Sequence, residues 1–193
     1  MKKQSVNFKE KIRSHYDFFK TAIEDIKTTG SIASSSRFLV QKILDQIPFQ
    51  SITNIVEFGA GTGTITLGLL DQMSQNQHLY AYEINQDFIV YLQAIKDPKL
   101  SLLVEDAGNI VHRFGKNSVD VVVSSLPLKN MPLEVKKRIL IAAREALKPG
   151  GMFIQYQYSL GDFALVKSIF GDTKLEFTPL NIPPAFVYFS RKT

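Results

Sequence analysis

Three glycines at alternate positions, Gly59, Gly61 and Gly63, follow the apolar run 52–58 and its acidic residue Glu57. Glycine takes positive φ readily and lets the backbone approach a ligand closely. A helix starting at Thr64 adds free N–H donors to the same spot. Twenty residues after Gly63, the run Leu79-Tyr80-Ala81-Tyr82 ends in Glu83. A carboxylate at such a strand tip can accept both hydroxyls of a ribose. A third apolar run, 100–104, leads into Glu105-Asp106-Ala107, which puts Asp106 beside the adenine site. The chemistry served by these residues is the holding of a nucleoside cofactor. The loop is G-x-G-x-G and lacks the G-x-x-G ending of dinucleotide sites. Glu57 also stands where a pyrophosphate would be unwelcome.

The elements that must position these residues are readable from periodicity. Ile52–Phe58, Leu79–Tyr82, Leu100–Val104, Val119–Ser124 and Met152–Tyr158 read as buried strands. Thr64–Met73, Gln86–Lys96 and Leu133–Leu147 read as the helices between them, the last ended by Pro149-Gly150-Gly151. Asp162 is expected to cap a further helix to Phe170. Lys174–Thr178 and Phe186–Ser190 read as a final pair of strands. This alternation predicts an α/β fold with a mostly parallel sheet covered on both faces. Ahead of it, residues 1–50 read as a helical extension, and 51–193 as the α/β domain. Phe8, Ile12, Tyr16, Phe19, Ile23 and Ile26 form one stripe of a helix over Val6–Lys27. A second helix is expected over Ser36–Ile47, stopped by Pro48.

Composition removes several alternatives. The 193 residues include no cysteine, so disulfides, thiolate metal sites and cysteine nucleophiles are excluded. His15, His78 and His112 show no ligand spacing, and no metal is expected. No apolar stretch reaches the length of a bilayer span. Lys2 and Lys3 are not followed by the apolar run of a secretory signal. The expectation is a cytoplasmic protein. The formal net charge of +5 fits a basic soluble protein, or an anionic partner such as a lipid surface or nucleic acid.

The run Glu57-Phe58-Gly59-Ala60-Gly61-Thr62-Gly63, then Glu83, Asp106 and Leu147-Lys148-Pro149-Gly150-Gly151, resembles Class I S-adenosylmethionine-dependent methyltransferases. The resemblance spans about residues 51–158. It implies a single Rossmann-like seven-stranded sheet whose last strand is antiparallel. It implies S-adenosyl-L-methionine as cofactor, with Gly59 to Gly63 under its methionine part, Glu83 with Ile84 at the ribose, and Asp106 with Ala107 at the adenine. Ser35, Ser36, Ser124 and Ser125 complete the implied cofactor site. A nucleotide-binding oxidoreductase is the competing reading of the glycine loop.

The methyl acceptor is read from Ser124-Ser125-Leu126-Pro127-Leu128. Enzymes acting on an exocyclic adenine nitrogen usually carry Asn or Asp here, followed by Pro-Pro-Tyr or Leu-Pro-Tyr. This chain has serine and leucine instead, so base methylation loses its amide acceptor and its stacking ring. With the loop 30–36 and the tail Asn181-Ile182-Pro183-Pro184-Ala185, the turn is similar to bacterial phospholipid N-methyltransferases, which methylate phosphatidylethanolamine. Ser34 stands where that family has proline. More distantly, the chain resembles rRNA adenine dimethyltransferases.

Residues 1–30 carry Lys2, Lys3, Lys9, Lys11, Arg13, Lys20 and Lys27 against Glu10, Asp17, Glu24 and Asp25. With Phe8, Tyr16, Phe18 and Phe19, this suits a helix lying in an anionic interface; packing on the domain is the alternative. The expected partners are a phospholipid substrate and the inner membrane surface, where the protein is peripheral. A neutral amine attacking the sulfonium methyl needs positioning and loss of one proton. Water, or one of His15, Tyr16 and Tyr158, is the candidate proton acceptor; each of these residues reads more readily as a packing or surface residue. Arg191 and Lys192 read as tail charges or a phosphate contact. An RNA or DNA adenine methyltransferase and a non-catalytic cofactor-binding module stay open beside the lipid reading.

Overall fold

A computed structural model of the chain describes residues 37–181 and 183–193. The expected helix Val6–Lys27 lies outside the described residues, as do the candidate site residues His15, Tyr16, Ser35 and Ser36. The first described helix, α1, is Arg37–Leu44, and a 3-10 turn at Phe49–Ser51 leads from it into the sheet domain.

Most of the strands form where β-branched and aromatic residues crowd; β3 is the exception, built on leucines. They are β1 (Asn54–Phe58), β2 (His78–Tyr82), β3 (Leu100–Leu103), β4 (Val119–Ser124), β5 (Leu147–Gln157), β6 (Thr173–Thr178) and β7 (Ala185–Arg191). The helices between them are α2 (Thr64–Gln72), α3 (Gln86–Gln93), α4 (Ile110–Phe114), α5 (Leu133–Ala146) and α6 (Phe163–Phe170). The seven strands make one sheet in the order β3-β2-β1-β4-β5-β7-β6. β1 to β5 pair in parallel, and β7 runs antiparallel to both β5 and β6. The expected sheet, with its last strand reversed, is the one found.

Successive residues of a strand point to opposite faces, and two cores follow. Val56, Phe58, Val122, Phe153 and Tyr188 pack with Leu140 and Ala143 of α5 and Phe170 of α6. Ile55, Val121, Val123, Ile154 and Val187 pack with Leu39 and Ile43 of α1 and Leu69 of α2. Both faces of the sheet are therefore covered. β1 pairs with β2 on one side and β4 on the other, so the chain reverses its winding direction there. Open α/β sheets bind ligands in the crevice at that point, outside the carboxyl ends of the strands.

Four local readings are corrected or extended. Asp162 precedes α6 but makes no side-chain cap to it; its carboxylate pairs instead with Lys136 of α5, and both side chains are largely buried. Ammonium and carboxylate there make a charge-assisted pair. α4, with the 3-10 turn Ala107–Asn109 before it, has no counterpart in the sequence reading. β5 begins at Leu147 rather than Met152, because Leu147 pairs with Val119 ahead of a register shift that absorbs the proline and glycines. Arg191 and Lys192 are not free tail charges. Lys192 Nζ donates to the carbonyls of Glu145 (3.2 Å) and Leu147 (2.6 Å) at the end of α5, and Arg191 donates to Gly150 O. Among the described residues, no helix is long and apolar enough to cross a membrane.

Candidate cofactor and acceptor site

The glycine loop sits at the winding reversal. Gly59, Gly61 and Gly63 all have positive φ, at 71°, 55° and 86°. Their surroundings differ. A Cβ on Gly59 would lie 3.1 Å from Leu126 Cδ2, and one on Gly63 would lie 3.0 Å from Ile95 Cδ1. A Cβ on Gly61 would meet nothing within 4 Å. The outer glycines therefore pack against the protein, and the middle one faces open space. The loop is tied to β2, since Gly59 and Ala60 both donate to Tyr82 O, at 2.9 and 3.1 Å. Ala60 is buried and Thr62 is exposed at the loop's crown. Gly63 then starts α2 in a left-handed conformation.

Glu83 closes β2 and is buried. Its Oε1 accepts from the N–H groups of Ile84 and Asn85, each at 2.8 Å, and its Oε2 accepts from Gly61 N–H at 2.9 Å. Burial raises its pKa, and the three N–H donors oppose that shift. Two carboxylate oxygens carry about four acceptor sites, so one is left for a ligand hydroxyl.

Glu57 is fully buried on β1. Its Oε2 accepts from Thr66 Oγ1 of α2 at 2.7 Å, while Oε1 has no partner among the described residues. Burial lifts its pKa to about 7, the Thr66 hydroxyl opposes the rise, and Glu83 adds to it. A carboxyl with one orphaned oxygen, poised near neutrality, is suited to a cationic neighbour.

Asp106 follows β3 and is exposed. It accepts from Gly108 N–H at 2.7 Å and from Arg138 of α5 at 2.8 Å. Ala107 beside it is buried. The third strand tip thus carries the expected acid, already held by an arginine that sequence reasoning did not single out.

On the β4 side, Ser125 N–H donates to Phe58 O at 2.9 Å, joining the turn after β4 to the tip of β1. Ser124 is buried, and its hydroxyl accepts from Leu126 N–H. The structure brings Glu57, Gly59, Ala60, Gly61, Gly63, Glu83, Ile84, Ser124 and Ser125 together at the carboxyl ends of β1, β2 and β4, where the crevice of an open sheet lies, with Asp106 and Ala107 at the next strand end. Tyr158, just past β5, lies edge-to-face with Tyr156 at 5.9 Å between ring centroids. Burial and Tyr156 push its pKa up to about 12, with a hydrogen bond to the Asn181 side chain opposing. Such a phenol keeps its proton at neutral pH and can donate a hydrogen bond.

Gln155 and Gln157 of β5 and Lys136 of α5 also reach this region, bonded to the turn after β4. Their signal in the sequence is the placing of two glutamines at alternate positions of an otherwise apolar strand. Among the described residues, no group of three His, Cys, Asp or Glu could hold a metal ion.

This chain belongs to the family described as "Methyltransferase domain", whose model matches residues 55–151, just over half of its length. It is an S-adenosylmethionine-dependent methyltransferase with the Class I fold. It is similar to the ornithine lipid N-methyltransferase of Singulisphaera acidiphila, 29% identical over 168 residues that cover 84% of this chain and 88% of that protein. It is also similar to ribosomal RNA small subunit methyltransferase A of Methylobacillus flagellatus, 29% identical over 161 residues. That match covers 69% of this chain and 59% of the relative. A structure with the same fold is phosphoethanolamine N-methyltransferase 2 of Haemonchus contortus, at a TM-score of 0.64 and 15% identity. There the chain is covered over 80% of its length and spans 52% of the other protein.

Proposed function

We propose that this enzyme transfers a methyl group from S-adenosylmethionine to the primary amine of a polar lipid headgroup. The observation that carries this reading is the turn Ser124-Ser125-Leu126-Pro127-Leu128. It presents neither a side-chain amide to accept from a base nor an aromatic ring to stack on one. The relation to an ornithine lipid N-methyltransferase along 88% of that protein supports it. Phosphatidylethanolamine and ornithine lipid both offer a primary aliphatic amine, and that shared group is the acceptor proposed.

The residues of the crevice fit the cofactor. Gly61 offers an open backbone face to the methionine part, and the orphaned Glu57 Oε1 suits its cationic groups. Glu83, with Ile84 beside it, keeps an acceptor site for ribose hydroxyls, and Asp106 with Ala107 faces the adenine. Thr62, Ser124 and Ser125 border the same crevice. When bound, the cofactor supplies an electrophilic methyl group. The protein's part is to hold an uncharged amine in line with it and to exclude water. Tyr158 acts as a hydrogen-bond donor to the headgroup, and the amine proton leaves through water or a group on residues 1–36. On this reading Ser35 and Ser36 belong to the cofactor site, and residues 1–30, with His15 and Tyr16, meet the lipid surface at the cytoplasmic face.

The similarity to a ribosomal RNA methyltransferase favours a second reading, methylation of an adenine in RNA. One assay separates the two. Protein and methyl-labelled cofactor are incubated with phosphatidylethanolamine vesicles, ornithine lipid vesicles or purified ribosomal RNA. Label in either lipid fraction supports the proposal and identifies the headgroup. Label in RNA alone overturns it in favour of the second reading.

A further inference from the structure

A polar side chain inside an apolar strand costs free energy unless its groups are paired. β5 carries two such residues, Gln155 and Gln157, two positions apart and hence on one face of the sheet. Both are buried. Both donate to the same atom, the carbonyl oxygen of Leu126: Gln155 Nε2 at 3.1 Å, while also donating to Tyr156 O at 2.9 Å, and Gln157 Nε2 at 2.7 Å. Gln155 Oε1 has no partner among the described residues. Leu128 N–H donates to it as well, at 2.8 Å. Pro127 between them, at φ −77° and ψ 72°, makes this an inverse γ-turn. A carbonyl has two lone pairs, so three donors saturate it.

The turn is also gripped at its other end and on its cofactor side. Lys136 Nζ, paired with Asp162, donates to Leu128 O at 3.2 Å. Ser125 N–H donates to Phe58 O, and the Leu126 side chain fills the space over Gly59. The carbonyl of Leu126 therefore faces the glutamines while its side chain touches the cofactor loop.

We propose that Gln155 and Gln157 are positioning residues for methyl transfer, clamping the turn after β4 at a fixed offset from the glycine loop. This rests on the reading above, in which Ser124 to Leu128 bound the acceptor pocket. In-line transfer is sensitive to such offsets, because a misplacement of about 1 Å costs on the order of a hundredfold in rate. Neither glutamine acts on the cofactor, so their removal separates turnover from cofactor binding.

The test uses the full chain with Gln155→Leu/Gln157→Leu, and separately Gln157→Glu. Three quantities are measured: the cofactor dissociation constant, hydrogen exchange of residues 125–131, and methyl transfer to phosphatidylethanolamine and ornithine lipid vesicles. In the double variant, exchange of 125–131 is expected to rise and turnover to fall by about 10- to 100-fold, with cofactor affinity unchanged. Gln157→Glu lacks the donor when ionised and regains one when protonated. Its turnover relative to wild type is therefore expected to recover as pH is lowered from 8 to 6, with urea unfolding at each pH separating this from a loss of fold. Wild-type exchange and turnover in the double variant overturn the proposal. So does a cofactor affinity that weakens in step with turnover. If the wild-type chain methylates neither lipid, the lipid reading falls alone, and exchange with cofactor affinity still decides the clamp.

Discussion

The amide of Gly61 donates to the carboxylate of Glu83 at 2.9 Å, which makes the middle of the cofactor loop and the tip of β2 one hydrogen-bonded unit. The carboxylate that offers an acceptor to a ribose also fixes the glycine that faces the methionine part. Replacing Glu83 by Gln keeps the shape but turns one acceptor oxygen into a donor. Facing Gly61 N–H, or Ile84 and Asn85 N–H if flipped, that donor leaves buried groups unsatisfied, at about 1 to 3 kcal/mol. Glu83→Gln is expected to weaken cofactor binding about 10- to 100-fold by calorimetric titration. Wild-type affinity would detach Glu83 from the site.

Gly61→Ala tests the open face directly. Its strain is that of any alanine at positive φ, about 1 kcal/mol. Gly150 also has positive φ, and its Cβ would likewise meet open space, but it lies in the stretch opening β5. Both variants should lose similar stability in urea unfolding. Only Gly61→Ala should lose cofactor affinity, because only there does the methyl group enter the space a ligand needs.

Glu57 gives stability a pH dependence of defined sign. Burial lifts its carboxyl to a folded pKa of about 7 from an ordinary value of 4.5. The folded state therefore binds more protons than the unfolded state between those values, and stability falls as pH rises through that window. The contribution is fully present below the unfolded pKa and lost above the folded one, a span of up to about 3 kcal/mol. Glu57→Gln should flatten this slope and raise stability at pH 8 in urea titrations at pH 5, 6, 7 and 8. A slope unchanged by the substitution would assign it to other groups.

How much of this was legible in the sequence depends on how far apart the partners lie. The glycine loop and Glu83 could be read because each is a local pattern at a strand tip, and β4 matches its expected bounds because Val119 to Val123 favour no other state. α4 was missed because five residues cannot establish a helical period. The start of β5 was missed because proline and two glycines suggest a turn, whereas the pairing of Leu147 with Val119 depends on a distant strand. Asp162 looked like a cap until Lys136, 26 positions away, claimed its carboxylate. The bonds of Gln155 and Gln157 to Leu126 span 29 and 31 positions, and no local pattern signals them.

The Lys136–Asp162 pair should behave as a buried ion pair. Removing the lysine alone, as in Lys136→Met, leaves the Asp162 charge without its partner, and a loss of about 3 to 5 kcal/mol is expected. Adding Asp162→Leu should recover most of it. A single variant that unfolds at the wild-type urea midpoint would mean that solvent already screens the pair.

Methyl transfer to a lipid amine is tested most directly by expressing the chain in cells whose lipids are then resolved by mass spectrometry, with an empty vector beside it. Methylated forms of phosphatidylethanolamine or ornithine lipid, present with the wild-type chain and absent with Gly61→Ala, are the result expected. An unchanged lipid profile, from cells whose purified protein binds S-adenosylmethionine, would contradict the lipid acceptor.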